Sequence, residues 1–380
     1  MKNSGVLRIG FKLLVNDKGK FTALLIGITF AVFLMMQMTA MFAGILNRAY
    51  STVTNIGASM WVMDPGVNTA TSPIPMPNYL EDEVRSMDGV SYAVPIFIGG
   101  AMVKLTDGTY QAVSVVGIDD ESLFGRPELE QGNIQDIYAD NAFIVVDDAE
   151  FSKLRNPKIG STFELNNNRI SIVGIAKVAS NGLNGVPTLY TTYNRAIQYI
   201  PQMHFTLSYV LVQPKSDAAV AGIKQKVAKL GYVAFTKDEF NKRISDFYTY
   251  QTGIGTNILM MTVIAFIVGL SISGQTFYTF ILENLEKFGA LKAIGAKGRE
   301  LVYMIMFMAT FTALTGYGLG VGLVSLMIWI ARSRLPNYAA IITFWNLGMA
   351  FGMVLVIAGI SSYVAVRKVL KVEPFDIFRG

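Results

Sequence analysis

The sequence has no cysteine and a single histidine, His204, in 380 residues. No disulfide framework, thiol nucleophile or cysteine metal site can be built from it. A zinc site assembled from several His or Cys ligands is excluded within one chain. Charge is scarce too. Asp, Glu, Lys and Arg make up 16% of the residues, against about 25% in a soluble domain. The formal charge of +5 is small and points to no nucleic-acid partner. Four runs carry no Asp, Glu, Lys, Arg or His: 21–47, 247–282, 301–331 and about 338–366. Each exceeds the ~20 apolar residues that a bilayer-crossing helix needs. Proton- and ion-driven transporters keep ionisable groups at membrane depth. Their absence here implies that energy arrives from outside the chain. Serines in these runs have no His or Lys at their depth to activate them, which argues against an intramembrane hydrolase.

What is present sets the order of the chain. Residues 1–20 hold Arg8, Lys12, Lys18 and Lys20 against one acid, Asp17. They suit an amphipathic helix on the cytoplasmic surface. The run 21–47 reads as an uncleaved first span starting inside. Residues 48–246 change character. Short alternating or β-branched runs such as 60–63, 112–118, 142–146 and 209–213 are separated by turn signals such as Asp107-Gly108. Helical patterns lie between them. The expected fold class is therefore membrane α-helical, with four transmembrane helices and a large α+β extracytoplasmic domain inserted between helices 1 and 2. An inner lobe is expected from about 48–124 and 191–246, with an outer lobe at about 125–190. A stalk and second span follow (247–282), then a cytoplasmic loop (283–300), the third span (301–331), the fourth (338–366) and a basic cytoplasmic tail (367–380). Both termini face the cytoplasm on the charge distribution, although Arg332 and Arg334 on the short outer loop oppose it.

The segment 282–299 reads LENLEKFGALKAIGAKGR. It predicts a helix at about 285–294 with Leu285, Phe288, Leu291 and Ile294 near one stripe. Glu283 and Glu286 suit its first turns, and Gly295 suits its C-terminal cap. From periodicity alone, an ordinary connector lying on lipid fits equally well. In the third span, Gly316, Gly318, Gly320 and Gly322 alternate with larger residues. A phosphate loop is excluded because no Lys-Ser/Thr follows. Small residues four apart predict close helix packing instead. The methionines at 35, 36, 38, 41, 304, 306 and 308 read as flexible apolar filler rather than soft-metal ligands. No metal site is expected.

The stretch from Glu286 through Lys287, Phe288, Gly289, Leu291, Lys292 and Gly295 to Ala296 resembles the E-x-x-G-x-L-(R/K)-A-(I/L)-G-A signature of MacB/FtsX-type permeases of ABC transporters. The tail, with Pro374 and Arg379, resembles that family's terminal element. Phe288 replaces the usual isoleucine and Phe378 the usual leucine. The four-span plan is similar over nearly the whole chain, and the DevC-like branch with a separate ATPase looks nearest. The resemblance implies a permease subunit of the bacterial inner membrane that is not itself an enzyme. A cytoplasmic ABC ATPase would bind ATP and Mg and dock on Glu286, Lys287, Phe288, Gly289, Leu291, Lys292, Gly295 and Ala296. Phe288 and Leu291 would fill a groove, with Glu286 and Lys292 at its rim. It also implies a homodimer that drives efflux with a periplasmic membrane-fusion adaptor and a TolC-like outer-membrane channel. FtsX-like signalling to a cell-wall hydrolase and LolC/E-like lipoprotein release are the alternatives within the family.

Overall fold

The computed structural model describes residues 3–178, 182–183, 185–200, 206–335 and 337–370. The chain divides into two compact units, residues 45–253 and the remainder. Two helices open it, α1 (Asn3–Asn16) and α2 (Lys18–Ala49). Asp17 separates them. Its carboxylate accepts the Lys20 amide at 3.2 Å, satisfying a backbone donor that a helix start leaves unpaired.

The polar unit contains α3 (Ser51–Ile56), β1 (Met60–Met63), β2 (Met76–Pro77), α4 (Leu80–Arg85), β3 (Val90–Lys104) and β4 (Tyr110–Ile118). Then come β5 (Glu128–Gly132), β6 (Ala142–Val146), β7 (Thr162–Leu165), β8 (Asn168–Lys177) and β9 (Thr188–Thr192). It closes with α5 (Tyr193–Tyr199), β10 (Thr206–Leu207), β11 (Tyr209–Pro214), α6 (Asp217–Lys229), β12 (Val233–Thr236) and α7 (Lys237–Asp246). One mixed sheet runs β12-β1-β11-β3-β4-β9-β6-β8-β5, with β7 beside β3 and β8. The 15-residue β3 belongs to both halves of the sheet. Its first part pairs with β11 and its second with β4. The sequence expectation put β4 in the inner lobe, apart from an insertion beginning near residue 125. The sheet does not divide there. β4 instead joins β9 in parallel, and β9 carries the inserted β6. The buried rings of Trp61, Tyr209 and Phe240 anchor the inner half, with Trp61 centred 5.2 Å from Tyr209 and 5.6 Å from Phe240. Arg195 ties the other half together. Its guanidinium donates to the carbonyls of Ile137, Ala139 and Ala142, each at 2.8 Å.

The second unit adds α8 (Ile254–Glu283), α9 (Leu285–Ala293), α10 (Gly298–Arg334) and α11 (Phe344–Leu370). Together with α2, the helices α8, α10 and α11 are long and apolar enough to cross a membrane, and the α+β domain lies between the first two of these in sequence. Met35, Met36, Met304 and Met308 are buried in their apolar core. Two expectations change. First, α1 is not merely a surface helix. Val6 and Leu14 are buried, Gly10 lets it approach Met304, and Phe11 meets Phe311 edge-on at 5.1 Å. Second, the fourth span starts at Phe344 rather than 338. Residues 338–343 are non-helical because neighbouring elements satisfy their backbone. The Ile341 amide donates to the Ala40 carbonyl at 2.9 Å, and Arg332 donates to the Ala340 carbonyl at 2.6 Å. Gln37 donates to the Tyr338 hydroxyl. Arg332 thereby binds the connection between the third and fourth spans.

Candidate functional site

The chain between the second and third spans is built from rigid pieces. α8 ends at Glu283, whose carboxylate pairs with Lys20 next to the start of α2. Asn284 is buried and breaks the helix. Its side-chain amide donates to the Phe280 carbonyl at 2.8 Å, and its side-chain oxygen accepts from Lys287 at 2.8 Å. The nine-residue α9 follows. Its end is a double cap: Ala296 N–H donates to the Leu291 carbonyl at 3.0 Å and Gly295 N–H to the Lys292 carbonyl at 3.1 Å. That is the Schellman arrangement, with Gly295 in the left-handed conformation at φ +102° that glycine adopts without strain. Glu300 then accepts the Lys297 amide at 2.9 Å and starts α10.

The expected contact residues split by direction. Glu286, Lys287 and Gly295 are exposed, while Leu291 and Lys292 are half-buried. Lys292 reaches the Leu370 carbonyl at 3.3 Å. Phe288, Gly289 and Ala296 are buried within the chain's own unit. Phe288 is 1% exposed and lies in the apolar core of the spans. It is therefore not available to fill a partner's groove, and that expectation is corrected. The large apolar group turned outward is Ile294, 80% exposed, which the sequence reading placed on the same stripe as Phe288. Helix geometry explains the difference. At 3.6 residues per turn, each three-residue step falls ~60° short of a full turn. Three steps carry Ile294 to the side opposite Leu285.

The glycines of the third span also split. A Cβ on Gly316 would lie 2.7 Å from Ile28, and one on Gly320 would lie 2.6 Å from Val32, so both face α2. Gly318 and Gly322 have nothing within 4 Å among the described residues. Pro374 and Arg379, like His204, lie outside the described residues.

A family model described as MacB-like periplasmic core domain matches residues 22–230. One described as FtsX-like permease C-terminal matches residues 258–374. The first alone spans more than half of the chain. The chain is a MacB/FtsX-type ABC transporter permease. An uncharacterized ABC transporter permease of Mycobacterium tuberculosis (strain CDC 1551 / Oshkosh) is 23% identical over 91% of this permease and 93% of its own length. Macrolide export ATP-binding/permease protein MacB 1 of Yersinia pestis bv. Antiqua (strain Antiqua) is 23% identical over 78% of this permease and 48% of that chain. The solved periplasmic region of MacB from Actinobacillus actinomycetemcomitans is similar at 11% identity and a TM-score of 0.38, covering 50% of this chain and 95% of that one. Membership of this family places the permease in a membrane and gives it an ATPase partner.

Proposed function

We propose that the permease hydrolyses no nucleotide and relays motion from a cytoplasmic ATPase to its extracytoplasmic domain, driving export. ATP and Mg are bound by the partner, both termini lie in the cytoplasm of a bacterial inner membrane, and two copies of the permease work together. A periplasmic adaptor and an outer-membrane channel complete the export path. The observation that carries this reading is the two-sided α9. Its inner side is fixed by the buried Phe288 and its C-terminal end is capped at Gly295, while Ile294, Glu286 and Lys287 face outward. A load on that outer side is passed to α8 and α10 rather than absorbed by a loose loop. Burial of Ile294 would supply most of the affinity, and the charges would set register. The Mycobacterium relative, matched over 93% of its length, is named a permease alone. That supports an ATPase carried on a separate chain.

The test is co-purification of the permease with its ABC ATPase. Ile294→Asp is expected to abolish recovery of the ATPase while leaving the permease folded and in the membrane. Full recovery and full ATP-dependent export in this variant would refute the docking face. A cell-wall hydrolase recovered in place of an adaptor would refute export.

A further inference from the structure

The four spans converge on a small cavity with a mostly apolar wall. Its volume is about 10 Å³, near the lower limit that admits one water molecule. Ile28 of α2, Phe277 of α8, and Ala358 of α11 line it, together with Thr312 of α10. Two serines complete the wall, Ser273 of α8 and Ser361 of α11. Ser273 is 2% exposed and Ser361 is 4% exposed, and neither hydroxyl has a protein partner.

That is not how hydroxyls elsewhere in these helices behave. Thr262, Ser271 and Thr312 each donate at 2.8 Å to the carbonyl four residues earlier, and Thr315 and Ser325 do so at 2.9 Å. This bond is the ordinary way to satisfy Ser or Thr in a helix surrounded by lipid. Ser273 and Ser361 forgo it and face the cavity. Two glycines lie beside these hydroxyls. A Cβ on Gly274 would come within 3.6 Å of the Ser361 hydroxyl, and one on Gly27 within 3.7 Å of the Ser273 hydroxyl.

We propose that this cavity is a binding site for one ordered water, which bridges Ser273 and Ser361 and so joins the second and fourth spans. The Thr312 hydroxyl gives its hydrogen to the Met308 carbonyl and keeps a lone pair for the water. Three polar partners are the usual number for a buried water. An apolar cavity of this size would stay dry; two unpartnered hydroxyls make this one wet.

The test is a high-resolution map of the full-length permease with its ATPase in lipid nanodiscs, at a resolution where ordered waters show. A peak within hydrogen-bond distance of both serine oxygens is expected. Hydroxyls turned back onto the Gly269 and Ile357 carbonyls, with no peak between them, would overturn the site. Thermal unfolding gives an independent readout. Ser273→Ala and Ser361→Ala are each expected to lower Tm by a few degrees, and the double variant by no more than the worse single one. Removing both partners leaves no orphaned hydroxyl, whereas removing one does. Additive losses would overturn the bridge.

Discussion

Gly44 of the first span lies against the backbone of Ala339, so close that a Cβ built on it would overlap the Ala339 carbonyl oxygen. The contact holds the connection between the third and fourth spans to α2, beside the Ile341–Ala40 hydrogen bond. Ordinarily, Gly to Ala inside a helix stabilises by about 1 kcal/mol. Gly44→Ala is expected to do the reverse, destabilising by roughly 1–3 kcal/mol as an overpacked site. Thermal unfolding of the purified permease measures this. Gly318→Ala, where nothing lies within 4 Å, is the control and is expected to leave Tm level or raised.

The third-span glycines give a paired prediction of the same kind. Gly320→Val places a branched side chain where Val32 and the Thr29 carbonyl already stand, the latter 3.0 Å from the added Cβ. It is expected to lower membrane accumulation of folded permease several-fold. At Gly318 an added Cβ has nothing within 4 Å among the described residues, and Gly318→Val is expected to accumulate normally. Equal losses in both variants would mean that the outward glycines face something as tightly packed as α2.

Phe288→Ala removes a side chain that is 1% exposed in the core of the spans. Losses of ~3–5 kcal/mol are typical for such a truncation. The permease is expected to unfold at markedly lower temperature, whether or not an ATPase is bound. Ile294→Ala, at an 80% exposed position, is expected to change stability by no more than about 0.5 kcal/mol. Melting curves of the two variants separate support of α9 from contact with a partner.

The spans were legible because hydropathy in a bilayer is read residue by residue: an uncharged run either is long enough or is not. Where the chain stops being helical is a tertiary matter. Tyr338 to Thr343 is as apolar as a span, yet Ala40 and Arg332 take its backbone hydrogen bonds. Nothing in the local sequence says so. Gly295 as a cap was visible because a single residue's chemistry decides it. The direction of Phe288 was not. A three-residue repeat reads as a stripe on paper and drifts around the helix in space. For the same reason Gly316 and Gly320 could not be told from Gly318 and Gly322 until α2 was in place.

In the α+β domain, Asp148 predicts a pH dependence. Burial first, and then the like charges of Glu150 and Asp147, raise its pKa to about 6, against the opposing Glu150 backbone amide and Arg48. In the unfolded chain the value is near 3.9. Between about pH 4 and pH 6 the folded protein therefore holds a proton that the unfolded chain has released. Stability falls as pH rises through that window and levels off above about 6. Asp148→Asn keeps an oxygen for the Glu150 amide, which Asp148 accepts at 2.8 Å, and removes the titration. The variant is expected to be more stable than the parent at pH 7.5, on the order of 1–2 kcal/mol, and to match it below pH 4. Denaturant unfolding of the full chain across pH 4–8 checks this. A difference between the two proteins that stays constant across the range would show that the carboxyl does not titrate in that window.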